Sequence, residues 1–311
     1  MSDAAETTVA ARPAWARPSR ERPTWGLEPG DAIAPGRTVL SRLGGGTRYE
    51  VFLVWDEHHL AVLVAKVLRP DQATDPAALR DLTREVGALS SLAHPVVVRC
   101  FDAVLDGRLP HLLIEHLEGP TLHTLLEDGD RPALEQVLPL GLHVASALHY
   151  MAAEGWVHLD VKPDNVVMGT PPRLIDLSVA RTLARARRLA GPTGTDAYMA
   201  PEQCRAGRDG GPVGPPADVW GLGATLHHAV SGAPPFPRPP GARRSPDREA
   251  RFPQLVRAPE PLPRRTPPAL ADIVAACLAP RPADRPTAAE VAAALEPLVL
   301  ALPRGLVLPR R

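Results

Sequence analysis

Between Thr38 and Leu117 the chain alternates short β-branched, apolar runs with turn residues. TVLSRL, YEVFLVW and LAVLVAKVL are separated by three consecutive glycines and by Asp56-Glu57-His58-His59. This pattern predicts three antiparallel strands joined by turns. In residues 77–92 the spacing of Leu79, Leu82, Val86 and Leu89 is three and four, which predicts an amphipathic helix. VVVRCFDAV and LPHLLIEHL then flank Asp106-Gly107, a hairpin signal. Beyond Pro120 the apolar period becomes helical, over 133–153, 217–231, 270–278 and 287–301. Residues 232–268 hold twelve prolines and read as loop with short helical pieces at most. Residues 1–36 repeat Arg-Pro pairs among few aliphatic side chains, and read as a flexible tail. The pattern therefore predicts an α+β chain. Its strand-rich lobe with one helix covers 37–117, its helical lobe 118–300, and a short tail 301–311.

Composition narrows the class. The 311 residues carry no net charge, 44% are hydrophobic and 23% charged. Such a balance is globular, and it argues against coating nucleic acid or an anionic membrane. No apolar run approaches the ~18–20 residues of a membrane span. The opening residues lack the apolar core of a secretory signal. Cys100, Cys204 and Cys277 are far apart and in no metal-ligand spacing, so reduced thiols are expected. Together these predict a cytoplasmic protein without membrane or nucleic-acid partners.

The scarce residues point to the chemistry. Of 35 basic side chains only Lys66 and Lys162 are lysines, and Asn165 is the sole asparagine. A coding bias explains the scarcity but not the survivors, which mark positions where a compact ammonium differs from a planar guanidinium. Two of them lie in HLDVKPDNVV, His158 to Val167. RLIDLSVAR follows, and each segment sets an Asp, Asp160 or Asp176, beside an apolar stretch. A buried carboxylate needs a cation, a metal or donors. Asn165 and Asp176 offer hard oxygens of the kind Mg²⁺ takes while keeping waters and phosphates. Asp160 remains as a carboxylate able to accept or orient a hydroxyl proton. LGGGTRYEV, Leu43 to Val51, sits between two predicted strands where glycines let backbone amides approach phosphates. Lys66 ends a β-branched run beneath it, a point charge suited to a polyphosphate.

This ordered set resembles the bacterial eukaryotic-like (Hanks-type) serine/threonine protein kinases, over roughly Arg37 to Leu300. The resemblance implies a bilobal protein-kinase fold with a five-stranded antiparallel amino lobe. It implies an ATP site in which Leu43 belongs to the glycine loop, and Gly44 and Gly46 lie over the phosphates. Val51 and Val64 would stand above the adenine and Val167 below, with the backbone of Glu115 to Leu117 as hinge and Ile114 as gatekeeper. Lys66 would hold the phosphates, paired with Glu85. Asp160 would be the catalytic base and Lys162 the support of the transferring group. Asn165 and Asp176 would bind Mg²⁺, with Mn²⁺ as an alternative. MAPEQ (Met199 to Gln203), Asp218 and Arg285, the partner of Glu202, match the activation-segment end and the helical lobe. Lys162 and Thr195 point to protein substrates with Ser/Thr acceptors. Self-association would allow autophosphorylation, with Thr182 and Thr193 as candidate acceptors.

Three positions depart from the family. Tyr49 replaces the third glycine of the loop and could cover the site. Leu159 replaces the arginine that clamps a phosphorylated activation loop, which predicts activity without strict dependence on that phosphorylation. Asp176-Leu177-Ser178 stands for Asp-Phe-Gly, Ser178 reducing backbone freedom. The competing expectation is a pseudokinase that binds nucleotide or phosphopeptide without turnover. Arg181, Arg185, Arg187 and Arg188 read by default as a solvated loop, and alternatively as a surface for acidic or phosphorylated peptide. Trp15 and Trp25 are expected to lie in the disordered tail.

Overall fold

The computed structural model describes residues 22–303 except 240, 243 and 244. The predicted strands form one antiparallel sheet of β1 (Ala32–Ala34), β2 (Arg37–Gly45), β3 (Tyr49–Asp56), β4 (Ala61–Leu68), β5 (Cys100–Val104) and β6 (His111–Glu115). Their order is β1-β2-β3-β4-β6-β5. The predicted helix is α1 (Pro76–Ser91), and Asp75 caps it by accepting from the amides of Ala77 and Ala78. Its buried face, Ala78, Leu82, Glu85, Ala88 and Leu89, carries one acid among the apolar groups. Register opposes Val51 to Lys66, Leu53 to Val64 and Val64 to Ile114. Because strand side chains alternate, Val64, Lys66 and Leu68 share the face turned to α1.

The other face of the sheet is also dry, and this corrects two expectations. Phe52, Val54, Leu63, Ala65, Val67 and Leu113 form a second core with Ile33 and Val39, against which Trp25 and Leu27 pack. Residues 22–36 are therefore part of the lobe rather than of a flexible tail, and β1 makes the sheet six-stranded instead of five-stranded. Trp25 donates its indole N–H to the Leu68 carbonyl (2.7 Å) and its amide to the buried Glu50 carboxylate (2.9 Å). Trp15 lies outside the described residues.

The helical lobe contains α2 (Leu122–Glu127), α3 (Leu134–Ala153), α4 (Leu183–Ala186), α5 (Pro201–Cys204), α6 (Pro215–Ser231), α7 (Arg248–Arg251), α8 (Pro268–Cys277) and α9 (Ala288–Leu300). Two-residue strands β7 (Trp156–Val157), β8 (Val166–Val167), β9 (Arg173–Leu174) and β10 (Arg181–Thr182) pair as β7–β10 and β8–β9 and present the loops between them. Helix α6 is buried nearly throughout, and at Gly223 a Cβ would lie 2.5 Å from that of Cys277 on α8. Only glycine permits that approach. The proline-rich stretch holds α7 and a 3-10 turn, Pro253–Leu255, as short helical pieces. No described helix is long and apolar enough to cross a membrane.

Candidate active site

The site lies where β4, α1 and the β7–β10 loops meet. Lys66 Nζ donates to Glu85 Oε1 at 2.5 Å and to Asp176 Oδ1 at 3.0 Å, joining sheet, helix and the loop after β9. Burial works against the Lys66 charge, but Asp176 and Glu85 outweigh it and hold its pKa above the usual range. Asp176 is held well below the usual carboxylate range, because Lys66 overcomes the opposing effect of burial. The lysine is therefore an ammonium, and Asp176 an anion, at any physiological pH.

Asp160 is fixed by its own loop. Lys162 Nζ approaches Asp160 Oδ2 at 2.8 Å and donates to Thr195 Oγ1 at 2.7 Å. Asn165 donates its amide to the Asp160 carbonyl (2.8 Å) and to Oδ2 (3.2 Å). Asp160 Oδ1 is buried with no hydrogen-bond partner among the described residues. The loop is pinned from below by Asp218 of α6, which accepts from the amides of His158 (2.7 Å) and Leu159 (2.6 Å). Burial raises the Asp218 pKa, opposed by His158 and those two amides. Leu159 and Asp176 both adopt left-handed backbone, with φ of 68° and 64°. That strain sits at the two turns that aim the carboxylates.

Val64 and Ile114 belong to the core cluster against which Leu43, Val51 and Leu117 pack, and Val167 is buried and bridged to Thr121. Glu115 accepts from the Arg99 amide (2.8 Å) and pairs with Arg173, so its side chain is a brace, and its own amide donates to the Arg99 carbonyl at 3.0 Å. Gly44 ends in the β2 ladder opposite Val51, whereas Gly46 turns the chain by donating to the Tyr49 carbonyl at 3.0 Å. The glycine the turn cannot replace is Gly45: a Cβ there would meet the Tyr49 carbonyl oxygen at 2.3 Å.

The three departures from the family also find places. Tyr49 is buried, its ring lying 5.0 Å from Lys66 Nζ, so it underlies the ammonium rather than covering the cleft. Ser178 keeps ordinary negative φ, so the freedom of glycine is not needed there, and its carbonyl accepts from Arg84 Nη2 at 2.8 Å. Leu159 is buried in the helical core, and its carbonyl accepts from Gln203 Nε2 (2.9 Å), which also donates to the Thr193 carbonyl (2.8 Å).

Some residues that support the site carry no signal in the sequence. Arg84 carries no cue beyond its place on an amphipathic helix. Gln254, from the proline-rich stretch, donates to the carbonyls of Asp196 (2.8 Å) and Met199 (3.0 Å). Arg238 and Arg251 pair with Asp196 at 3.2 and 2.9 Å. The stretch read as a loop is thus the prop under the activation segment.

The family described as "Protein kinase domain" matches residues 37–295, and the chain belongs to the protein kinase family. Its similarity reaches bacterial members. It is 32% identical over 204 residues to the serine/threonine-protein kinase PknB of Mycobacterium leprae, covering 62% of this chain and 32% of that one. It is 31% identical over 288 residues to PkaA of Streptomyces coelicolor (89% and 46%) and 33% identical over 274 residues to the probable kinase PkwA of Thermomonospora curvata (86% and 35%). The chain thus spans about a third to just under half the length of these relatives.

Proposed function

We propose that this chain is a serine/threonine protein kinase, transferring the γ-phosphoryl group of Mg-ATP to Ser and Thr hydroxyls of protein substrates. The observation that carries the reading is the pairing of Lys66, Glu85 and Asp176 beside the cluster of Asp160, Lys162 and Asn165, the two joined where the Ile175 amide, next to Asp176, donates to the Asn165 backbone carbonyl at 2.9 Å.

The donor set fits a divalent ion. Asn165 uses its N–H groups on Asp160, leaving its carbonyl oxygen for a ligand, and Asp176 Oδ2 makes no hydrogen bond among the described residues. Both are hard oxygens, suited to Mg²⁺, or Mn²⁺, completed by phosphate oxygens. The ion, when bound, neutralises charge on the phosphates. The chain's own groups do the rest. Lys66, aligned by Glu85, binds phosphate oxygens. Asp160 Oδ1, left without a partner, accepts or orients the proton of the incoming hydroxyl. Lys162 holds charge that develops on the transferring group, and Thr195 fixes that ammonium.

Activity without strict dependence on activation-loop phosphorylation is part of the proposal. Gln203 and Lys162 already tie the segment to the catalytic loop through Thr193 and Thr195, and Leu159 offers no cation for a phosphate. Phosphatase-treated protein is expected to incorporate radiolabelled phosphate from Mg-ATP into Ser and Thr of a general acceptor protein. Asp160→Asn should lower the rate by about 10²–10⁴-fold. Equal, negligible incorporation by parent and variant would mean a nucleotide-binding scaffold. Leu159→Arg should gain a phosphorylation-dependent step that the parent lacks, and a parent silent until phosphorylated would refute the independence.

A further inference from the structure

The outer face of α1 carries Arg80, Asp81, Thr83, Arg84 and Gly87, and it faces Trp156, Thr182 and Arg185 across a cavity of about 570 Å³. The spacing explains why these residues line up: 80, 84 and 87 lie on one side of the helix, opposite the side that buries Glu85. The lining bears three arginines and one acid. Asp81 is already committed to Arg84 (2.6 Å) and to Arg48. Neither Arg80 nor Arg185 makes an ion pair among the described residues, and Arg84 Nε is buried without a partner. The surplus of positive charge is felt next door. Burial, then Arg84, with Arg185 and Arg48 adding, lowers the Arg181 pKa to about 10 although Asp81 opposes them.

We propose that this cavity is a recognition site for a phosphoseryl or phosphothreonyl side chain presented by a peptide of a second protein. A phosphomonoester carries about −1.5 to −2 charges and three acceptor oxygens, which matches the two uncommitted guanidinium forks of Arg80 and Arg185, with Arg84 held between Asp81 and the Ser178 carbonyl as the third positive charge, whereas a lone carboxylate leaves charge unbalanced. The volume is that of a pocket for a whole small ligand rather than for one anion, so flanking residues enter too, with Trp156 as an apolar wall. Thr182 itself belongs to the wall, held there by backbone pairing of β10 with Trp156 and by the Leu183 amide on the Gly155 carbonyl (2.8 Å). A peptide seated here would bridge α1 to β10 and α4, on the reverse side of the helix that aligns Lys66. The ligand is of the product class of the proposed kinase reaction, but binding does not require turnover.

The test is fluorescence polarisation with phosphatase-treated full chain and a labelled phosphothreonine peptide, against the same peptide unphosphorylated or with Glu at that position. The phosphopeptide should bind about tenfold tighter or better than either. Arg80→Gln/Arg185→Gln should abolish that preference while its circular dichroism and melting match the parent, and Asp160→Asn should retain it. Equal affinity for the three peptides, or an unchanged preference in the double variant, overturns the proposal. So does a stable phosphate mapped to Thr182 that must be removed before any peptide binds, since the occupant would then be in cis. Preference in an enzyme that fails the transfer assay would sink the catalytic reading alone, and transfer without preference would sink this one alone.

Discussion

Two buried ion pairs in this molecule look alike and do different work. In the helical lobe, Arg285 and Glu202 are 0% and 2% exposed and joined by two bonds, at 2.7 and 2.9 Å. The guanidinium also donates to the carbonyls of Ala279, Pro216 and Pro280 and lies over the Trp220 ring. In the cleft, Lys66 bridges Glu85 and Asp176, yet Glu85 Oε2 has no partner among the described residues and the Asp176 side chain is 37% exposed. The first network is saturated, so it holds helices together. The second is open on one side, as a site must be if a ligand is to complete it.

Removing both charges from each pair separates the two roles. Arg285→Met/Glu202→Gln should destabilise the protein by about 3–5 kcal/mol, because three carbonyl acceptors lose their donor inside the lobe. Urea unfolding reads this directly. Lys66→Met/Glu85→Gln should lower kcat/KM by about 10²–10³-fold while stability falls by no more than about 1–2 kcal/mol, since the replacements remove the desolvation cost of the pair and Asp176, which loses its cation, is partly exposed to water. If the cleft variant unfolds and the Arg285 variant does not, the contrast is inverted. Trp25→Ala probes the outer sheet face, and should cost about 1–3 kcal/mol through lost burial and the indole bond to Leu68. Thr195→Ala is the smallest change: about 0.5–1.5 kcal/mol, with a several-fold lower kcat as the Lys162 ammonium loses its anchor.

The Trp25 case shows where a sequence reading stops. Residues 22–36 look like a tail because they hold few aliphatic side chains, yet LAVLVAKVL is apolar at consecutive positions rather than alternating. A strand buried on both faces needs a cover on both, and the cover here is a short strand, one tryptophan and one leucine. The four long helices of the second lobe and α1 were legible within one or two residues from their apolar runs, whereas α2, α4 and α5, of four to six residues, are too short to show a period. Lys66, Lys162 and Asn165 stood out because composition isolates them. Gln203, Gln254, Arg84 and Gly45 matter through partners 3 to 94 positions away, and Gly45 matters through a carbonyl that only the folded turn brings close. No local pattern encodes such contacts.

Asn165 and Asp176 need a divalent ion and a triphosphate to complete them. Isothermal titration of a non-hydrolysable ATP analogue, with and without Mg²⁺, addresses that most directly. The analogue should bind more tightly with Mg²⁺, and Asp176→Asn should remove the difference while leaving the fold intact. Identical affinity with and without the ion, or no binding in either case, would contradict it.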